Sequence, residues 1–297
     1  MVKSVRTLVF TPVGPASKLE HVRDTVESFI HYIDQSNSVL LLINDTGRSD
    51  IHETLPKRAN ILIFDSPPRR NVAQGHVTAG NLFANQILAL RHVTGLFDWK
   101  YALRLDDDAL IIGPRPEVDA LGVFEAGHRI GLIGAYRYRG DGTNKEADMA
   151  VKGRQVLQSI FSTQAFKHPR ASAHLLNLVV RSRLTGHRLG HLCTGGAMFM
   201  SRAAYDRTAD LVGPDPGYLR GLTLEDDLLF AVHCGAAGFK FADFSRPQDV
   251  MAVNWRGLPM PLEELVRRGK KIVHPVKEID RPEHETRVRA FFKGRRA

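Results

Sequence analysis

The sequence predicts an α/β fold, and three features carry that prediction. Short apolar runs alternate with stretches of helical spacing through the first half of the chain. Each apolar run is closed by a polar or Pro/Gly-containing turn. No internal repeat or low-complexity linker interrupts the pattern, so one α/β domain with insertions is the simplest arrangement.

Residues 5–10 read as a strand that ends at the turn Thr11-Pro12-Val13-Gly14-Pro15. Residues 18–34 have helical spacing, because Leu19, Val22, Val26, Phe29, Ile30 and Ile33 recur at intervals of three and four. Residues 39–43 form a buried-strand pattern closed by Asn44-Asp45-Thr46-Gly47, and residues 61–64 another closed by Asp65-Ser66-Pro67-Pro68. A helix beginning at Gly75 or Thr78 is expected to run to Val93. Tyr101–Leu105 is a short strand that runs straight into Asp106-Asp107-Asp108. Residues 130–136 are expected to be a strand, and residues 137–147, rich in Gly, Asp, Asn and charge, a mobile loop. Residues 150–184 read as helical with an interruption at Pro169. Strands are expected at residues 197–200, 239–242 and 271–274, with helices on either side of residues 213–221.

The chain has 297 residues, 43% of them apolar and 25% charged, which suits a globular protein with a sizeable core. No apolar stretch approaches the roughly 20 residues that cross a bilayer. The N-terminal residues lack an apolar segment followed by a small-residue cleavage site, so no secretory leader is expected. Two cysteines, Cys193 and Cys234, cannot form a disulfide framework, and a cytoplasmic location is expected. The net charge of +9 invites an anionic partner: a sugar diphosphate, an anionic membrane face or nucleic acid. The tail from Glu283 to Arg296 sets Val288, Phe291 and Phe292 among basic residues, a pattern that suits docking at an anionic membrane or packing on its own domain.

The chemistry lies in two acidic runs. Asp106, Asp107 and Asp108 stand at the end of a strand, where open α/β sheets bind ligands. Three adjacent carboxylates repel one another unless a cation or solvent spreads their charge, and Mg²⁺ or Mn²⁺ favours such oxygen ligands together with substrate phosphates. Downstream, Cys193-Thr194-Gly195-Gly196 precedes an apolar run, and Glu225-Asp226-Asp227 opens a helix. The glycine pair allows a close backbone approach, and the helix dipole favours the acids at its start. An acceptor hydroxyl is a poor nucleophile, and a positioned carboxylate can remove its proton.

With Arg104-Leu105-Asp106-Asp107-Asp108 followed by apolar residues 109–112, and with the Gly-Gly and Glu-Asp-Asp runs, the chain resembles nucleotide-sugar glycosyltransferases of the GT-A fold. It is similar in particular to the inverting β-1,3-galactosyl- and N-acetylglucosaminyltransferases. The resemblance implies a Rossmann-like single domain with a mixed, mostly parallel central sheet flanked by helices. Residues 1–115 would form the nucleotide-binding half, 116–280 the acceptor and catalytic half, and 281–297 a basic tail.

It further implies a divalent metal, Mn²⁺ or Mg²⁺, on Asp108 with Asp106 and the late His274, and Asp107 as the spare acid at the donor site. Asp226 is then the base, Asp227 the runner-up, and Glu225 a positioning residue. Gly195 and Gly196 line the donor site. Thr11, Pro12 and Val13, with Asn44 and Asp45, would meet the nucleoside, while Arg69, Arg70 and Asn71 meet the diphosphate. A UDP- or GDP-sugar is the expected donor, the acceptor is open, and no nucleic-acid partner is expected.

Competing motifs are missing. The first strand meets a Pro-containing turn instead of Gly-x-Gly-x-x-Gly, and no Gly-x-x-x-x-Gly-Lys-Ser/Thr occurs. A sugar nucleotidyltransferase shares the layout and is the nearest enzymatic rival. A non-catalytic polyanion or glycan binder would explain the charge, but its carboxylates would repel such a ligand. The spacing of His187, His191, Cys193, His233 and Cys234 matches no standard zinc site.

Overall fold

The computed structural model of the chain describes residues 2–67, 79–277 and 282–296. The first half comprises β1 (Lys3–Ser4), β2 (Thr7–Val13), α1 (Leu19–Tyr32), β3 (Ser38–Asn44), α2 (Ile51–Thr54) and β4 (Ile61–Asp65). It continues through α3 (Ala79–Leu96), β5 (Phe97–Asp98), β6 (Tyr101–Leu105), β7 (Leu110–Ile111), α4 (Pro116–Ala126) and β8 (Ile130–Gly134). Then come α5 (Glu146–Ile160), α6 (Thr163–Lys167), α7 (Pro169–Leu184), β9 (Ala197–Ser201), α8 (Arg202–Val212) and α9 (Asp226–Ala236). The chain closes with β10 (Lys240–Asp243), β11 (Met251–Val253), α10 (Leu262–Arg267), β12 (Ile272–His274) and α11 (Pro282–Gly294).

The central sheet has the order β10-β8-β9-β6-β2-β3-β4. It is mixed and mostly parallel, with only β9 running antiparallel to its neighbours. Its middle strands are near-continuous apolar runs because both faces are covered. Leu8 and Phe10 of β2 join Val39, Leu41 and Ile43 of β3 in one core layer, packed with α3, α7 and α9. Val9, Leu40 and Leu42 point into the opposite layer with Val22, Val26 and Phe29 of α1. This is the α/β architecture expected from the sequence.

Four expectations are changed or narrowed. β2 does not end at Thr11 but runs on through Pro12 to Val13, paired with β3 as far as Asn44. β6 pairs with β2 only as far as Phe10, so Pro12 lies where one neighbour has ended and a missing N–H is tolerated. Residues 137–147 form an anchored turn instead of a free loop. Tyr138 bridges to Asn144, and the N–H groups of Arg137 and Tyr138 donate to one Asp243 carboxylate oxygen at 2.6 and 3.1 Å. Lys145, at the end of this turn, is buried, and its ammonium donates to the Ala135 carbonyl at 2.7 Å and to Thr194 Oγ1 at 2.5 Å. Burial lowers the Lys145 pKa to about 8.

The third is narrowed: of the two arrangements its pattern suited, the tail packs on its own chain. Val288 and Phe292 are buried in a small cluster with Leu110, Val273 and Val276, leaving no apolar face there for a bilayer. The fourth is the long helix, which reaches Leu96. Its expected start, like Arg69, Arg70 and Asn71, lies outside the described residues. No helix among the described residues is long and apolar enough to cross a membrane.

A second, three-stranded sheet, ordered β11-β12-β7, positions the late histidine. β7 begins two residues after Asp108, and β12 pairs with it antiparallel, Val273 opposite Leu110. The Val276 N–H then donates to the Asp108 carbonyl at 2.8 Å. This pairing brings His274 beside the acidic run from far along the chain.

Candidate active site

The site is built where β6 stops. Arg104 is the next-to-last residue of that strand, and it is 3% exposed. A buried guanidinium needs anionic partners. It has two: Asp106 on one side and Asp226 at the start of α9 on the other, each at 2.9 Å. The two acidic runs are therefore one guanidinium apart.

On the β6 side, Asp106, Asp108 and His274 each present a ligand atom, and these atoms lie within 4.8 Å of one another. His274 Nδ1 is 3.0 Å from the Asn254 carbonyl oxygen, which fixes the proton on Nδ1 and turns Nε2 toward Asp108 at 3.3 Å. Lys277 reaches the other Asp108 oxygen at 2.8 Å. Burial works to raise the Asp108 carboxyl, but His274 and then Lys277 outweigh it and hold it well below the usual carboxylate range. Burial lowers His274, and the Asp108 carboxylate more than reverses this. The donor set of two carboxylates and one imidazole, its other nitrogen already bonded, fits a divalent ion such as Mn²⁺ or Mg²⁺. Among the described residues this is the one such three-residue group, and His187, His191 and Cys193 form none.

Asp107 is not part of this group. Burial and the neighbouring Asp108 push its carboxyl up to about 6. Its carbonyl accepts from Arg289 Nη2 of α11 at 2.6 Å and from Thr25 Oγ1 of α1 at 3.3 Å, so the acidic turn is clamped from behind. Arg289 also bonds Asp24 at 3.1 Å.

The α9 side is different. Asp227 accepts from the Gly195 N–H at 2.8 Å and from the Leu228 N–H at 2.7 Å, so both of its oxygens are held by backbone. Asp226 takes its two partners on one oxygen, Arg104 at 2.9 Å and Gln86 Nε2 of α3 at 2.7 Å. Burial raises Asp226 to about 6 against the pull of Arg104. Burial and then Glu225 raise Asp227 also. Glu225 is half-exposed and pairs with Lys152 at 2.5 Å.

Gly195 and Gly196 join the two sides. The Gly196 carbonyl accepts from the Asp106 N–H at 2.8 Å while the Gly195 N–H holds Asp227. Gly196 has φ +95°, and a Cβ there would lie 2.2 Å from His274 Nδ1. Its need for glycine comes from the histidine ring as much as from any ligand.

A cavity of about 370 Å³ opens between the end of β2 and the acidic run, lined by Pro12, Asp45, Arg104, Asp106, Asp108 and Lys277 among others. Asp107 also lines it, as do Gly14 and Ser17. Of the nucleoside-side residues expected from sequence, Pro12 and Asp45 face this cavity, and Asn85 Nδ2 donates to Asp45 at 2.8 Å. Thr11 and Val13 are fully buried strand positions. Asn44 is committed to its turn, donating to Asp65 at 2.7 Å and accepting from the Thr46 hydroxyl at 2.6 Å. Sequence reading missed Arg104, Gln86 and Lys277. An arginine inside an apolar strand was the visible sign of the first.

No protein-family model matches the sequence, and no curated protein matches it. Among solved structures, the chain is similar to the mannosyltransferase PcManGT from Pyrobaculum calidifontis in complex with GDP-Man and Mn²⁺. The identity is 12% and the TM-score 0.37, over 72% of this chain and 50% of that one. It is also similar to S. aureus TarS 1-349 in complex with UDP-GlcNAc, at 11% identity and a TM-score of 0.30, over 44% of this chain and 34% of that one. The chain thus spans half the length of the first and about a third of the second. Overlaps this partial carry no weight for which nucleotide, sugar or metal this chain takes.

Proposed function

We propose that the chain is a metal-dependent glycosyltransferase that moves a sugar from a nucleoside-diphosphate sugar to an acceptor hydroxyl with inversion. The observation that carries this reading is the pair of acidic clusters held one guanidinium apart, with the first cluster and that guanidinium lining an open cavity. Asp106, Asp108 and His274 would hold the divalent ion, which when bound supplies positive charge to the leaving diphosphate. Lys277, on the same cavity wall, would exchange Asp108 for a phosphate oxygen.

Asp226 is the better base of the two. Both Asp227 oxygens hold backbone N–H groups, whereas one Asp226 oxygen accepts no hydrogen bond among the described residues and its carboxyl is raised to about 6. The acceptor proton passes to that oxygen as the acceptor attacks the anomeric carbon and the bond to the diphosphate breaks. Arg104 keeps Asp226 and Asp106 at fixed separation, and Asp227 ties the Gly195 loop to α9.

A panel of nucleotide sugars, incubated with Mn²⁺ and candidate acceptors, tests the reading through release of the nucleoside diphosphate. Release that depends on acceptor and vanishes in Asp226→Asn supports it. Pyrophosphate release from a nucleoside triphosphate and sugar phosphate would instead identify a nucleotidyltransferase.

A further inference from the structure

Exposed apolar side chains among the described residues concentrate in one stretch of the chain, outside the residues that line the cavity. Of the ten large hydrophobic side chains that stand exposed, six lie within residues 151–184. Phe161, at the end of α5, and Phe166, inside the short α6, are 79% and 88% exposed, and Leu184 is 82% exposed. Single exposed apolar residues are ordinary, but such a concentration in one stretch of helices is not.

The arrangement on α7 is specific. Leu176, Val180 and Leu184 repeat every four residues and form one outward stripe. The opposite face, with Ala171, Leu175, Leu178 and Val179, is already buried against the core. A surface helix that is apolar on both sides has an unfilled partner position.

Charge identifies the partner. Between Asp148 and Asp206 the chain contains no Asp or Glu and eight Lys or Arg, nearly the whole of its +9. Lys167, Arg170, Arg181, Arg183 and Arg188 are exposed and form no ion pair among the described residues. Arg181 and Arg183 flank the apolar stripe on its two sides. Apolar side chains rimmed by unpaired cations match the boundary between anionic headgroups and acyl chains, where each half of the pattern finds its complement. A second copy of this chain would set the same cations against one another.

We propose that the α5–α7 face is a docking surface for an anionic lipid membrane. Phe161, Phe166 and Leu184 enter the headgroup region, and the arginines pair with lipid phosphates. The active-site reading is not needed for this.

Sedimentation with vesicles tests it directly. The full chain is mixed with phosphatidylcholine vesicles, or with vesicles containing about a third phosphatidylglycerol. The wild type should pellet with the anionic vesicles only, and less so as salt is added. Phe161→Ser/Phe166→Ser/Leu184→Ser and Arg181→Glu/Arg183→Glu should each weaken binding by about tenfold or more. These side chains are exposed, so the melting temperature should not move. Wild type left in the supernatant with anionic vesicles overturns the proposal, and so does a triple variant that binds as well as wild type. A solution dimer that the triple variant converts to monomer would show that a second copy covers this face instead.

Discussion

Asp108 and Asp226 are both buried carboxylates at the ends of secondary-structure elements, linked through Arg104 and Asp106, yet their surroundings drive them in opposite directions. Asp108 has His274 and Lys277, and two cationic partners outweigh burial to keep it charged. Asp226 has one shared arginine, and burial prevails to bring its carboxyl up to about 6. A permanently charged group suits holding a cation, and a group poised near neutrality suits taking a proton. Residue type is the same at both positions, and the balance of nearby cations and carboxylates makes the difference.

The sharpest way to break this contrast is at Asp226. Asp226→Asn should lower turnover by about a hundred- to ten-thousandfold while leaving nucleotide affinity nearly unchanged. Equal losses in Asp227→Asn without any loss of stability would exchange the two roles. Below about pH 6 the wild-type rate should fall as Asp226 takes up its proton, and a rate flat through pH 5 would contradict that assignment.

Arg104→Ala should be next in size. It leaves Asp106 and Asp226 facing each other across an emptied, buried position, and breaking such a pair costs about 3–5 kcal/mol. Chemical denaturation would measure it. Gly196→Ala should cost about 1–3 kcal/mol, because a side chain at φ +95° also collides with His274, and it should weaken metal binding at the same time. An unchanged metal affinity in that variant would separate Gly196 from the site.

The smallest effects have opposite signs at the two acids. With chelator present, Asp226→Asn should melt higher than wild type at pH 8. A raised carboxyl contributes stability only when protonated, so the gap should close as pH falls from about 6 toward 3.8. Asp108→Asn should melt lower at pH 8, because a depressed carboxyl contributes stability when charged, and that gap should close below the ordinary carboxylate range. Shifts of the same sign would mean that the two environments do not differ as described.

Much of the sheet is legible in the sequence because its strands are apolar runs of four to seven residues bounded by turns. β7 and β11, two and three residues long, are too short to show any period, although β7 pairs with the strand that delivers His274. The acidic runs stand out by composition, and the structure sets Asp106, Asp108 and His274 together. Their supports do not stand out. Gln86 sits on an apolar helix, and Lys277 acquires meaning only from the β7–β12 pairing. The basic tail shows a different limit: its pattern suits a membrane or its own domain equally, and only the structure shows Val288 and Phe292 taken by the β7–β12 cluster. Amphipathic spacing shows that a face is buried but not what buries it.

On the proposed function, the Asp106–Asp108–His274 group holds a divalent ion that in turn binds a nucleoside diphosphate. Calorimetric titration of UDP and then GDP, with and without Mn²⁺, on wild type and Asp108→Ala, tests it most directly. The account predicts binding of one nucleotide that requires the metal and is lost in the variant. Binding that is equally strong without metal, or unchanged in Asp108→Ala, would contradict it.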